Sequence, residues 1–433
     1  MRTSIYSLAL VVFSFTLLHA SEPVITLKDN DTWVMAGDSI TAQRLHSNYI
    51  EAFYRTRYPQ FHLHFRNSGI GGNKTGDVLA RFDYDVAAWK PTIVSVELGM
   101  NDVSAPTPEG YVAGMQKLAG LIRALPAQPL LFSSSPVNDG SLLNQWESDR
   151  CQRLHPFTEA LKEMGKKENV PVIDQYHALL DVWGVNRIVV DAGSLADRAA
   201  TLKPESGVPG LDQLKAFSKA WANQPRGVQL GGDSVHTGFV GQYCMAAVIL
   251  KGLGADNEVS SATIKTDGTV VESKRCKISD VSAKDGKITF TRLDECSPWP
   301  ILPAAAPALK LVPEIAELSH YMLTITGLPA GKYSVSMDGK SVATLTEDEL
   351  AKGWNMGALT EGAPAARATK IMSLIDQLQN PLNIAWRAAS KAHDEAKLAE
   401  AEKAIEDCEA QVQTAVQPTA IKFEIAPAVA ANP

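Results

Sequence analysis

The chain is poor in cysteine, has no excess of positive charge and, beyond its first twenty residues, contains no long uninterrupted apolar run. Each absence removes a class of protein. Five cysteines in 433 residues are too few for a disulfide-dense scaffold. A formal charge of −7, from 41 basic and 48 acidic side chains, leaves no footprint for nucleic acid or an anionic membrane surface. Without a second apolar run there is no membrane span after the N-terminus. What remains is an ordinary globular composition, 45% hydrophobic and 21% charged, in a chain long enough for two or three domains.

The one apolar run, Leu8 to Leu18, follows Arg2 and precedes Ala20. That is the layout of a secretory signal, too short to cross a bilayer comfortably, although Leu18-His19-Ala20 departs from the small-x-small cleavage pattern; a buried N-terminal helix is the alternative. The expectation is a signal over residues 1–20 and an exported protein, periplasmic or extracellular. Removing Arg2 with it leaves 40 basic against 48 acidic side chains, a charge of −8. Of the cysteines, Cys276 and Cys296 flank a hairpin turning at Lys284-Asp285-Gly286, where a bridge would need a small bulge; the pairing is left open. Cys151, Cys244 and Cys408 read as isolated buried thiols.

From Trp33 the pattern becomes strand, turn, helix, repeated. Trp33 to Ala36 is a short apolar strand that stops at Gly37 and presents Ser39 just beyond its end. A helix with Ile50, Phe53, Tyr54 and Tyr58 on one stripe ends at Pro59, and Phe61 to Asn67 is the next strand. His62 and His64 share a face of that strand without further ligands near them in sequence, so no metal is expected there. Asn67-Ser68-Gly69-Ile70-Gly71-Gly72-Asn73-Lys74-Thr75 follows, a glycine-rich loop whose spacing fits neither phosphate-binding fingerprint. Strand Thr92 to Leu98 delivers Gly99-Met100-Asn101-Asp102. Helix Pro108 to Leu125, strand Pro129 to Ser133, a helix around Asp149 to Glu168 and strand Val170 to Asp174 complete the alternation. It predicts a three-layer α/β/α sandwich around a parallel sheet.

Between Tyr176 and Gly232 only one helical pattern stands out, near Asp212 to Ala222, and the excursion reads as a wall over the crevice, with a loosely packed insertion as the alternative. Gly232-Asp233-Ser234-Val235-His236 then precedes a helical pattern through Ala247 to Leu253. Asp and His three apart allow the carboxylate to hold one imidazole nitrogen while the other faces outward. Ser234 repeats the Gly-Asp-Ser tripeptide but sits too close to His236 to be reached by it, which favours Ser39 as nucleophile. A serine hydroxyl needs such a base, the base needs an orienting partner, and the intermediate oxyanion needs preset donors.

In these four stretches the chain resembles the SGNH (GDSL-like) hydrolase family. Gly37-Asp38-Ser39 looks like the family's first block, Asn67 to Thr75 its glycine block, Gly99-x-Asn101-Asp102 its third and Asp233-x-x-His236 its last. The likeness runs from about Thr32 to Leu253 and implies an SGNH/flavodoxin-like fold. It implies Ser39 as nucleophile, His236 as base, Asp233 as its orienter, and an oxyanion hole from the Ser39 and Gly72 backbone N–H groups and the Asn101 amide. No metal and no cofactor are expected. Departures are Thr41, where a G-x-S-x-G elbow has glycine, Asn73-Lys74 in place of the usual Asp-Thr, and Thr237 where proline commonly follows the histidine. The expected activity is that of a serine esterase, with carbohydrate O-acetyl groups as substrate. Lipid esters or thioesters are an alternative, and a non-catalytic glycan-binding role is another. The partner is a small-molecule or glycan ester, and oligomeric state is left open.

After residue 255 the texture changes. Alternating segments with Asp-Gly at 267–268, 285–286 and 338–339 predict an accessory antiparallel β unit over 256–345, in which Trp299 packs or stacks on a sugar. Thr346-x-x-Glu349 is a capping box opening a helical region over 346–415, interrupted at Asn380-Pro381, that either docks on the rest or acts as a spacer. Residues 416–433 read as a flexible tail.

Overall fold

The computed structural model of the protein describes residues 23–137, 149–180, 182–183, 211–212, 215 and 230–428. The N-terminal signal expectation, most of the segment read as a wall and nearly all of its helix near Asp212 fall outside them. Strands Thr32–Gly37 (β1), His64–Gly69 (β2), Ile93–Glu97 (β3), Gln128–Phe132 (β4) and Val172–Ile173 (β5) form one parallel sheet, ordered β2-β1-β3-β4-β5. A single-turn helix, Ser39–Ala42 (α1), follows β1. Leu45–Arg57 (α2), Thr75–Asp85 (α3), Glu109–Ala124 (α4), Asp149–Glu168 (α5) and Phe239–Gly252 (α6) flank the sheet. The strands are buried along nearly their whole length, as parallel strands covered by helices must be.

The strand order matters for function because it reverses between β1 and β3. β2 lies on one side of β1 and β3 on the other, with Gly37 level with both Gly69 and Glu97. A crevice forms beyond the carboxyl ends of strands at such a reversal, and ligands bind there in open α/β sheets. Ser39 leaves β1, the glycine loop leaves β2, and Asn101 follows β3.

The β-rich part is two sheets sharing one core. Glu258–Lys265 (β6), Val270–Lys274 (β7), His320–Thr326 (β10) and Trp354–Asn355 (β13) make one, ordered β13-β10-β6-β7. Cys276–Lys284 (β8), Lys287–Asp294 (β9), Lys332–Met337 (β11), Lys340–Thr346 (β12) and Ile421–Pro427 (β14) make the other, ordered β12-β11-β14-β9-β8. Val259, Leu323 and Ile325 of the first pack with Phe290, Val335 and Phe423 of the second. The expected all-antiparallel unit is corrected in one place: β6 pairs in parallel with β10, because a long crossover separates them. The β8–β9 hairpin turns at Asp285 and Gly286, both at positive φ. Cys276 lies opposite Asp294, two residues short of Cys296, and the two free thiols donate to different carbonyls, those of Ser261 and Val259.

The larger correction concerns the end of the chain. The flexible tail expected over 416–433 is corrected for residues 416–428, its described part: β14 is the central strand of its sheet, between β9 and β11, with Ile421, Phe423 and Ile425 buried and the Phe423 ring stacked on Phe290 at 5.0 Å. The helical region is not a spacer either. Helices Gly362–Gln377 (α7), Asn383–Ala392 (α8) and Glu395–Val416 (α9) dock on the α/β unit, where Ile371, Ile375, Val412 and Val416 join its core. α7 and α9 cover the outer face of α2, which is therefore buried almost all round instead of on one stripe. Glu409 of α9 reaches Arg66 at 2.6 Å and His64 at 2.8 Å. Burial opposes its charge, but the Arg66 guanidinium, the His64 hydrogen bond and the Arg55 charge together outweigh that and hold the carboxyl down at about 2.

Candidate active site

Ser39 occupies the first position of α1. The Asp38 side chain caps that helix by accepting from the Ile40 N–H at 2.9 Å, while the Ser39 N–H, like any first-turn amide, has no acceptor within the helix. Gly37 makes the sharp exit from β1 possible. A Cβ there would fall 2.0 Å from Thr41 Oγ1 and 2.9 Å from the Glu97 carbonyl.

His236 arrives from a compact loop. Gly231 and Gly232 have positive φ, the Asp233 N–H donates to the His236 carbonyl at 2.9 Å, and the Gly238 N–H donates to Gly231. Asp233 Oδ1 accepts the backbone N–H groups of Val235 (2.8 Å) and His236 (2.7 Å), and Oδ2 lies 3.0 Å from His236 Nδ1. Burial raises the Asp233 pKa somewhat, but these donors outweigh it and hold the carboxyl below its usual range. With Nδ1–H directed at Asp233, His236 Nε2 is left as an acceptor, 2.7 Å from Ser39 Oγ. The three residues singled out from the sequence thus meet in one crevice, across 197 positions of chain.

The other expected donors border the same crevice. A Cβ on Gly71 would lie 3.9 Å from that of Ser39, and Ile70 to Asn73 form a turn closed by the Asn73 N–H on the Ile70 carbonyl. Gly72, third in that turn, has φ +77°, the conformation glycine supplies without strain. Asn101 Nδ2 donates to the Asn73 carbonyl at 3.1 Å and toward Asp38 Oδ2 at 3.4 Å, so its amide hydrogens point into the space between these loops.

Beneath Ser39 lies a buried polar network that sequence pattern did not reveal. His46 Nε2 contacts Glu97 Oε2 at 3.0 Å; Glu97 also accepts from Thr41 Oγ1 and from Gln175 Nε2 (2.6 Å). Gln242 accepts from His46 N–H at 3.0 Å and contacts its Nδ1, and its amide donates to Gln43 and to the Thr237 carbonyl, which ties the histidine loop to the serine helix. Burial favours neutral His46, but the charge and hydrogen bond of Glu97, with smaller help from Gln242 and Asp38, together outweigh it and raise the ring's pKa. Burial and the Glu97 charge push Asp38 up to about 7.

Other sequence candidates find ordinary partners. His62 pairs with Asp29 and His64 with Glu409. Trp299 is buried, donates from Nε1 to the Tyr49 carbonyl at 2.8 Å and stacks on Tyr243 at 4.2 Å, so its ring faces the interior. Among the described residues the one group with metal-ligand geometry is His155, Glu159 and His177, whose ligand atoms lie within 4.8 Å of one another. There the Lys162 ammonium bonds both Glu159 (2.8 Å) and Asp174 (3.0 Å), which already balances the carboxylates.

Residues 35–187 match the GDSL-like Lipase/Acylhydrolase family. The matched stretch is an SGNH (GDSL-like) hydrolase domain. Over 55 residues the chain is 40% identical to an acetylxylan esterase of Geobacillus stearothermophilus, a match spanning 13% of the chain and a quarter (25%) of that protein. Its fold is similar to that of BT4096, a gut microbial diltiazem-metabolizing enzyme, with TM-score 0.71 and 20% identity over 93% of this chain and 99% of the other. The crystal structure of Axe2, an acetylxylan esterase from Geobacillus stearothermophilus, is 18% identical over 54% of this chain and 98% of that one, with TM-score 0.38.

Proposed function

We propose that the protein is a serine esterase that removes O-acetyl groups from carbohydrates, with Ser39 as nucleophile, His236 as base and Asp233 as orienter. The observation that carries this reading is the 2.7 Å approach of His236 Nε2 to Ser39 Oγ, with Asp233 on the opposite ring nitrogen. In the first step Ser39 Oγ attacks the ester carbonyl carbon as His236 Nε2 takes its proton. The carbonyl oxygen becomes an anion and is received by the N–H groups of Ser39 and Gly72 and by the Asn101 amide, which turns from its present acceptors to do so. Collapse expels the alcohol, protonated by His236, and leaves an acyl-serine. Water, deprotonated by the same imidazole, then releases the acid and restores Ser39. No step calls for a metal or cofactor.

The carbohydrate acetyl substrate is suggested by the short, 40% identical match to an acetylxylan esterase. The apolar stretch before residue 20 supports export of the protein to meet such a polymer. Acetate release from a panel of acetylated oligosaccharides, compared with cleavage of long-chain acyl esters, tests the substrate. Ser39→Ala abolishes turnover if the reading is right, and Asn101→Ala lowers kcat on the order of 10²-fold. Wild-type turnover by the Ser39→Ala protein overturns the reading. N-terminal sequencing of the protein made in its native host tests export: an intact Met1 is the refuting result.

A further inference from the structure

β2 is an edge strand, and Phe65, Asn67 and Gly69 face away from the sheet with backbone groups that need partners. The Gly69 N–H donates to Asn67 Oδ1 at 3.0 Å and the Phe65 carbonyl accepts from Arg66 at 2.8 Å, and the other partners come from the far end of the chain. Gln379, in a single π-helical turn (Leu378–Leu382) between α7 and α8, accepts the Asn67 N–H at 3.0 Å and donates to the Phe65 carbonyl at 2.8 Å. Its remaining amide hydrogen bonds Glu51 at 2.6 Å, so this buried side chain is held on several sides. Arg387 of α8 donates to the Asn67 carbonyl at 2.7 Å and to the Gly69 carbonyl at 3.4 Å. Its Nε bonds Asp85 Oδ1 at 2.6 Å.

Asp85 passes the contact on. Its other oxygen pairs with Arg81, whose guanidinium donates to the Ser68 carbonyl (2.7 Å), the Gly37 carbonyl (3.2 Å) and Asn73 Oδ1 (2.9 Å). The chain of bonds from Arg387 therefore ends on both sides of the Ile70 to Asn73 turn and on the residue before Asp38-Ser39. Asn67 and Gly69 are the last outward-facing groups of β2 before the turn that carries the Gly72 N–H. A planar guanidinium with several fixed donors is suited to holding two carbonyls and a carboxylate in one geometry, which a lysine cannot do.

We propose that the C-terminal helical region, through Arg387 and Gln379, is a positioning device for the oxyanion-binding loop. The inference rests on the ester-cleaving reading of Ser39 and Gly72 and gives the C-terminal helices a part in it. Neither side chain touches substrate; both act through the backbone of β2. Displacing a preset donor by a fraction of an ångström weakens oxyanion stabilisation and leaves ground-state binding intact.

The test uses full-length wild type, Arg387→Lys and, as a control, Gln413→Ala, whose amide holds α9 to the Pro59 carbonyl at 2.7 Å, away from the loop. Active sites are counted with a fluorescent phosphonate, and kcat, KM and the Ki of a phenylboronic acid are measured on p-nitrophenyl acetate. Arg387→Lys is expected to lower kcat per titrated site about tenfold or more, raise the boronate Ki by a similar factor and leave KM within about twofold, while Gln413→Ala keeps the wild-type kcat per site. Where Arg387→Lys does not fold, Asp85→Asn, which breaks the same relay, is read in the same way. Unchanged kcat per titrated site in the variant, or an equal loss in Gln413→Ala, overturns the positioning role while the esterase reading stands. A wild type with no ester cleavage overturns both.

Discussion

Replacing Asp233 by Asn separates what that carboxylate does for the loop from what it does for the imidazole. The Asn carbonyl oxygen can keep the two backbone bonds now made by Oδ1, from Val235 at 2.8 Å and His236 at 2.7 Å. Turning the amide round would set its NH2 against both N–H groups, so its orientation is decided. The NH2 then stands 3.0 Å from Nδ1, where the carboxylate oxygen had been, and cannot accept the ring's proton. The proton moves to Nε2, which faces Ser39 Oγ at 2.7 Å, and the ring can no longer act as base. The same change in a fully buried triad costs about 10⁴ in kcat. Here the Asp233 side chain is 65% exposed, so water substitutes in part. The expected loss is about 10²- to 10³-fold in kcat, or roughly 3 to 4 kcal/mol of barrier. The assay is p-nitrophenyl acetate hydrolysis per titrated site, with thermal melting as the fold control. Asp233→Asn should melt with wild type, whereas Asp233→Ala, which loses the loop bonds too, should melt lower. A kcat for Asp233→Asn within about fivefold of wild type would refute the orienting role.

Three further outcomes follow from the packing and the buried charges. Trp299→Ala removes a buried ring and leaves the Tyr49 carbonyl without its donor; a cost of about 3–5 kcal/mol in urea unfolding is expected, with affinity for acetylated oligosaccharides unchanged, and a selective loss of affinity would instead revive the sugar-stacking alternative. A chain ending at Pro418 lacks the middle strand of a five-stranded sheet and should lose cooperative unfolding of the β part in calorimetry; wild-type melting would restore the reading of this segment as a tail. Asp38, raised to about 7 by burial and the Glu97 charge, keeps a proton that the unfolded chain releases near pH 4. The native state then binds more protons between those values, so stability falls as pH rises through that window, by up to about 4 kcal/mol. Asp38→Asn retains an acceptor for the Ile40 N–H and cannot titrate. His46, also raised in part by the Asp38 charge, loses stability in the same direction but only above its ordinary value of about 6.5, so the difference between the two proteins' urea midpoints at pH 4.5 and pH 6 isolates Asp38, and parallel pH dependence there would count against its elevated pKa.

How much of this was legible in the sequence depends on how far each feature reaches. Ser39, Asn101 and the glycine loop stand just past apolar strands, and a parallel sheet brings all carboxyl ends to one edge, so short patterns were enough to gather them. His236 was legible because Asp233 lies three residues away and the helix after it has a clear start. β14 was also written in the chain, as the alternation of Ile421, Phe423 and Ile425, but its flanking Ala and Pro residues and terminal position favoured a tail, and its partners β9 and β11 are separated from it by long stretches. Alternation of three residues is a weak signal until two sheet edges need a strand between them. Arg387 and Gln379 left no local trace. On a helix rich in Ala and Lys such residues read as solvated, and they become buried only because β2 is an edge strand whose outward carbonyls and amide face their helix turn across more than 300 positions. Reactive groups must have the right chemical type, and type is visible residue by residue. Their placement to a fraction of an ångström is set by second partners chosen from anywhere in the chain, which is why the last third of this molecule carried no catalytic motif and yet is bonded to the strand from which the oxyanion loop springs.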